Sequence, residues 1–207
     1  MTILAFALSL ALLSPLASPV ISLASAQETP EQFVERTSND ALVILRDKAM
    51  DRKVRIDRLE TLLQDRSDFT TIGKLVLAAN YRQFSDPQKK EFEFLLRRYL
   101  TNTYGNQIDN YANETVEVTG GRPEARGDYT VLTKLKRPSG EDILVDYRLR
   151  AVEGGWRLID VIGEGISLVS NLRSQFGEIL TQGGPEKLLK TLREKNAKGI
   201  ADPVKKA

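Results

Sequence analysis

There is no histidine and no cysteine anywhere in the 207 residues. Without imidazole, a Ser-His-Asp or Cys-His arrangement is excluded, and so is a histidine-ligated metal. Without thiols there is no disulfide, no thiolate zinc site and no thiol nucleophile. An enzyme built on this chain would have only carboxylates, lysine, tyrosine or serine for its chemistry. Neither a metal nor another cofactor is implied. An excess of charge is missing as well: 30 basic side chains face 28 acidic ones, for a net +2. A nucleic-acid surface needs a clustered basic excess, so that class is disfavoured. A chain free of thiols also suits an oxidising compartment.

The first 26 residues lack charge altogether. The run from Ile3 to Leu13 has the length of a signal-peptide core, and Ala24-Ser25-Ala26 supplies a cleavage site. Pro15 and Pro19 interrupt it and it is short for a membrane span. The expected organisation is a signal peptide over 1–26, one domain over 27–198 and a flexible tail over 199–207. The expected fate of the mature chain is export.

Helical spacing governs the first half of the domain. Thr29-Pro30-Glu31-Gln32 is a capping box with proline at the first helical position. Phe33, Thr37, Ala41, Ile44 and Leu45 then share a face. Further helices are predicted over 54–63 and 69–79. Asp86-Pro87 reads as an N-cap and first turn. The helix behind it carries Phe92, Leu95, Leu96, Tyr99, Leu100, Thr103, Tyr104, Ile108 and Tyr111 at three- and four-residue steps.

At Asn113 the period changes to two. Thr115-Val116-Glu117-Val118 alternates and Gly120-Gly121-Arg122-Pro123 reads as a turn. Tyr129, Val131, Thr133 and Leu135 follow, then Ile143, Val145, Tyr147 and Leu149, then 156–162. Helical spacing returns near Ser167 and breaks at Gly183-Gly184, and Pro185 opens a last helix. Helices, then a four-stranded antiparallel meander, then helices over the sheet make an α+β single domain.

The stretch from Trp156 to Phe176 resembles the signature of the MlaC family, the periplasmic phospholipid-binding components of the Mla lipid-asymmetry transport system, also called toluene-tolerance proteins. Its most specific part is the string from Asp160 to Phe176, with Gly165, Ser167-Leu168-Val169, Asn171, Arg173 and Ser174 in place. Phe94-Leu95-Leu96-Arg97-Arg98-Tyr99-Leu100, with Tyr104 and Tyr111, and the Gly183-Gly184 turn match too. Gly163 departs from the bulkier residue common in relatives.

The resemblance implies a twisted sheet wrapped by N- and C-terminal helices around an apolar pocket for acyl chains. It implies phospholipid transport, with an inner-membrane MCE-domain ABC transporter complex and an outer-membrane lipoprotein as partners. The residues expected at the lipid are Phe69, Leu75, Val76, Phe92, Leu96, Tyr99, Tyr104, Val131, Tyr147, Leu149, Trp156, Val161, Ile166, Val169 and Phe176. Periodicity alone is equally consistent with their forming plain core. Another envelope lipid, such as a hopanoid, is an alternative cargo. An alternative of another class is a carboxylate-dependent enzyme on an α+β cone scaffold, using Asp160 or Glu164. Lys89, Lys90, Arg97 and Arg98 read as a solvated helix face or as a docking patch for an acidic partner or a lipid phosphate.

Overall fold

The structure, a computed structural model, describes residues 27–105 and 113–199. The segment 1–26, the positions Ile108 and Tyr111, and the tail from residue 200 lie outside the described residues. Among those described, no helix is long and apolar enough to cross a membrane.

The chain opens with α1 (Pro30–Arg46), whose capping box forms as the sequence predicts: Thr29 Oγ1 accepts from the Gln32 backbone and Gln32 Oε1 accepts from that of Thr29. Helix α2 (Arg52–Arg66) starts at Asp51, whose carboxylate accepts from Lys53 N and Val54 N. Helix α3 (Phe69–Leu77) is capped by Asp68 and runs into a short 3-10 turn, Ala78–Gln83. Helix α4 (Asp86–Gly105) begins one residue earlier than its sequence signal. Ser85, not Asp86, is the cap. Its hydroxyl accepts from Gln88 N at 3.4 Å, and Gln88 Oε1 accepts from Ser85 N at 3.0 Å.

Four strands follow as a meander: β1 (Thr115–Pro123), β2 (Asp128–Lys136), β3 (Ile143–Val152) and β4 (Gly155–Gly163). A fifth strand of two residues, β5 (Ile166–Ser167), pairs with β4 and extends the four-stranded expectation to five strands in sequential order. The last element, α5 (Leu168–Gly199), is broken at Gly183 and Gly184, where the sequence has its glycine pair before Pro185.

The turn expected at Gly120–Pro123 is not there. Those residues belong to β1, whose register shifts between Val118 and Gly120, and the reversal comes later, at Ala125–Gly127. The bulge absorbs what the glycines offer. Gly121 serves a different end. It faces the Tyr129 ring across the strand pair, and a Cβ there would lie 2.9 Å from both the Tyr129 hydroxyl and Glu31 Oε1.

Apolar side chains collect into two separate cores. One is purely helical and is drawn from α3, the 3-10 turn, α4 and α5. It is filled by Phe84, Phe92, Phe176, Val76, Leu96, Leu188, Leu189 and Leu192 among others. Phe92 meets Phe84 at 5.8 Å and Phe176 at 6.1 Å between ring centroids, the latter edge-on. The second core joins α1 to the sheet: Phe33 and Val34 pack on Val131 and Leu149, with Tyr129, Tyr147, Trp156 and Leu158 around them. Between the layers, Asp68 N donates to the Leu158 carbonyl at 3.0 Å and ties the helical side to β4.

Candidate functional site: an apolar sheet face left half covered

Strand register decides which side chains share a face. In β2 and β3, Tyr129 stands opposite Leu149, Val131 opposite Tyr147 and Leu135 opposite Ile143. In β3 and β4, Tyr147 stands opposite Val161, Val145 opposite Gly163 and Leu149 opposite Leu158. In β1, Val116 stands opposite Leu135 and Val118 opposite Thr133. Directly opposed residues point the same way, and alternate residues along a strand do too. One face therefore carries Val116, Val118, Val131, Leu135, Ile143, Val145, Tyr147, Leu149, Leu158 and Val161.

That face is covered unevenly. At one end α1 seals it: Val131 and Leu149 are 0% exposed beneath Phe33 and Val34. Three contacts hold the start of α1 in place. The Trp156 indole N–H donates to the Glu28 carbonyl at 2.9 Å, Arg36 forks onto the Glu28 carboxylate at 2.7 and 2.8 Å, and Tyr129 OH donates to Glu31 Oε1 at 2.7 Å. Toward the other end, Val116, Leu135, Ile143, Val145 and Val161 are only half-buried, and Ile166, paired across from Gly163 on β5, is 66% exposed. Apolar surface left against water costs about 25 cal/mol per Å². A contiguous unsealed apolar face of this kind is characteristic of a binding surface.

Tyr147 stands where the sealed end meets the open one. Burial pushes its phenol up, while a hydrogen bond with Ser38 of α1 opposes the shift. Ser38 itself is buried, and Leu42 one turn on is buried as well.

The residues expected at the lipid from sequence fall into three groups. Phe69, Leu75, Val76, Phe92, Leu96, Tyr99, Val169 and Phe176 belong to or line the helical core. Val131, Tyr147, Leu149 and Trp156 belong to the core under α1. Val161 and Ile166 lie at the open end of the sheet face, and Tyr104 on α4 is 54% exposed. The structure does not bring the first group together with the second. Val116, Leu135, Ile143 and Val145 are the apolar positions at the open end that the sequence reading left out. Their alternation was visible, but uneven coverage along a strand leaves no mark on its period.

Other chemistry-bearing candidates have structural partners. Asp160, 4% exposed, accepts from Ser167 Oγ at 2.6 Å and from Val169 N at 3.0 Å, so it caps the entry to α5. Glu164 accepts from Leu144 N at 2.7 Å and so braces the β3 entry. The two carboxylates are thus engaged at separate backbone sites. In the basic stretch, Arg97 and Arg98 both bond Glu60 of α2, at 3.3 and 2.9 Å, and Lys89 bonds Asp86 at 2.8 Å. Among the described residues no cluster of carboxylates is arranged to hold a metal ion.

Comparison with known proteins agrees with this architecture. The family model described as "MlaC protein" matches residues 35–194. The toluene tolerance protein ttg2D of Pseudomonas putida is 26% identical over 196 residues, covering 92% of this chain and 87% of that protein. The intermembrane phospholipid transport system binding protein MlaC of Haemophilus influenzae is 20% identical over 132 residues, 62% of each chain. Among solved structures, a phospholipid-binding protein from Ralstonia solanacearum in complex with a phospholipid superposes with a TM-score of 0.74 at 23% identity. It covers 84% of this chain and 99% of its own, and it shares the fold.

Proposed function

The chain belongs to the MlaC family, and from that membership we propose that it is a periplasmic carrier that binds a phospholipid by its acyl chains. The observation that carries the reading is the half-covered end of the apolar sheet face, around Val145, Val161, Leu135 and Ile143. A diacyl phospholipid has on the order of thirty methylenes, and leaving them in water costs roughly 25 kcal/mol at ~0.8 kcal/mol each. A carrier must therefore expose apolar surface when empty and cover it with hydrocarbon when loaded.

In this reading Tyr147, Val161 and Ile166 contact the chains together with Val116, Leu135, Ile143 and Val145. Phe92, Leu96, Val169 and Phe176 form the packed backing of the helical layer, and Val131, Leu149 and Trp156 anchor α1. Residues 1–26 serve as the export signal. The loaded protein moves between an inner-membrane MCE-domain ABC transporter complex and an outer-membrane lipoprotein partner. The reading requires no catalytic group, in keeping with the structural partners of Asp160 and Glu164.

Native mass spectrometry of the exported protein, followed by solvent extraction, tests this. A phospholipid recovered in stoichiometric amount supports the reading, whereas a hopanoid would change the cargo. Protein that carries no lipid and takes none up from vesicles would refute it.

A further inference from the structure

We infer that the opposite, polar face of the sheet holds a binding site for an oxyanion, a phosphate or carboxylate group, centred on Arg148 and Arg126. A hollow of about 310 Å³ lies there, lined by Glu124, Ala125, Arg126, Asp128 and Arg148. Arg148 adjoins Tyr147 in β3 and therefore points away from the apolar face. The site is thus separate from the proposed acyl-chain surface and does not depend on it.

The ionic groups around the hollow are unequally satisfied. Asp128 takes both bonds of a forked pair from Arg150, at 2.8 and 2.9 Å. Glu124 Oε1 accepts from Thr130 Oγ1 at 2.9 Å and from Arg122 Nε at 3.1 Å. Both carboxylates are therefore already neutralised by partners outside the hollow. The two arginines facing it are less fully hydrogen-bonded. The Arg148 Nε is buried with no hydrogen-bond partner. The nearest ion-pair contact of Arg148 is Asp160 at 3.9 Å, beyond hydrogen-bonding distance, and that carboxylate is engaged by Ser167 and Val169. Arg126 has no ion-pair partner among the described residues, and its backbone sits in the left-handed region at φ 63°.

Leaving a guanidinium N–H unbonded is unfavourable, and the fork favours a ligand that presents two oxygens, as a carboxylate or a phosphate does. With Arg122 and Arg150 cancelling Glu124 and Asp128, and Asp160 offsetting Arg148 at 3.9 Å, the surroundings of the hollow keep one net positive charge. Left-handed backbone at a non-glycine residue is disfavoured and accumulates at functional positions. Here it places a second guanidinium at the rim.

The test is a ¹H–¹⁵N NMR titration of the whole domain with inorganic phosphate and, separately, with succinate, at constant ionic strength. The expected result is saturable shifts confined to 124–130 and 147–149, weakened at least tenfold by Arg148→Gln. Arg126→Gly separates binding from folding, because it should raise Tm by relieving the backbone while also weakening binding at least tenfold. Arg126→Lys should keep part of the affinity. Preference for phosphate would assign the site to a phosphate group. Equal or tighter binding of succinate would assign it to carboxylates, such as an acidic side chain of a partner. Shifts that never saturate, that spread over all surface arginines, or that survive Arg148→Gln would overturn the site.

Discussion

The Tyr129 hydroxyl donates to Glu31 Oε1 at 2.7 Å while its ring lies over Gly121 of the neighbouring strand. This one side chain joins α1 to β2 and occupies the space that a Cβ at Gly121 would need. Gly121→Ala is expected to cost about 1–3 kcal/mol, as for overpacking elsewhere. The cost should shrink in a Tyr129→Val background, giving a coupling energy in a double-mutant cycle measured by urea denaturation. An equal cost in both backgrounds would mean that the ring is not the obstacle.

Two tryptophan substitutions on the same sheet face should behave differently. Val131 is 0% exposed in the sealed core, so Val131→Trp overpacks it and lowers stability by about 1–3 kcal/mol. Val145 is half-buried at the open end, so Val145→Trp should cost less than about 1 kcal/mol. Val145→Trp should nevertheless cut the copurified lipid at least tenfold by filling the space of the chains. Lipid content by mass spectrometry and Tm by calorimetry, taken on the same preparations, separate the two effects.

Asp160→Ala is expected to destabilise the protein by about 1–3 kcal/mol. It removes the acceptor for Val169 N and Ser167 Oγ and leaves a buried backbone donor unsatisfied. Asp160→Asn keeps one acceptor and should cost less. Denaturant midpoints rank the three forms. Were the residue catalytic instead, Asp160→Asn would leave stability untouched and abolish an activity.

The start of α1 is expected to loosen in acid. The hydrogen-bonded Arg36 guanidinium holds the Glu28 carboxyl below the usual glutamate range, against the opposing effect of burial. A carboxylate whose pKa is lower in the folded state contributes stability that is fully present above its unfolded pKa, about 4.3. That contribution is lost as pH falls below this value and through the lowered folded pKa. Glu31 reinforces the trend: burial raises its pKa, but the bond from Tyr129 and neighbouring bonds bring it below the usual range. Glu28→Gln should flatten the acid limb of the stability curve. Amide exchange in 31–36, followed from pH 6 to pH 3, reports the same loosening locally.

The sequence by itself determined the order of the elements, because each is written in local chemistry. The Thr29–Gln32 capping box, the change of period at Asn113, the alternation through Tyr129–Leu135 and Ile143–Leu149, and the Gly183-Gly184 break all appear where the residues put them. The string from Asp160 to Phe176 also carried the family likeness. What only the tertiary structure decided is which apolar residues meet. Phe92, Leu96 and Phe176 look the same in sequence as Val145 and Val161, yet the former close on one another among the helices while the latter stay partly open. Periodicity reports which face a side chain points to, and coverage depends on what another part of the chain lays over that face. Helix α1 seals Val131 and Leu149 while Leu135 and Ile143 stay half-buried, and no local pattern encodes where that coverage stops. The Gly121 position shows the same limit. The sequence reads Gly-Gly-Arg-Pro as a turn, and only the Tyr129 ring across the strand pair explains why a glycine stands inside a strand.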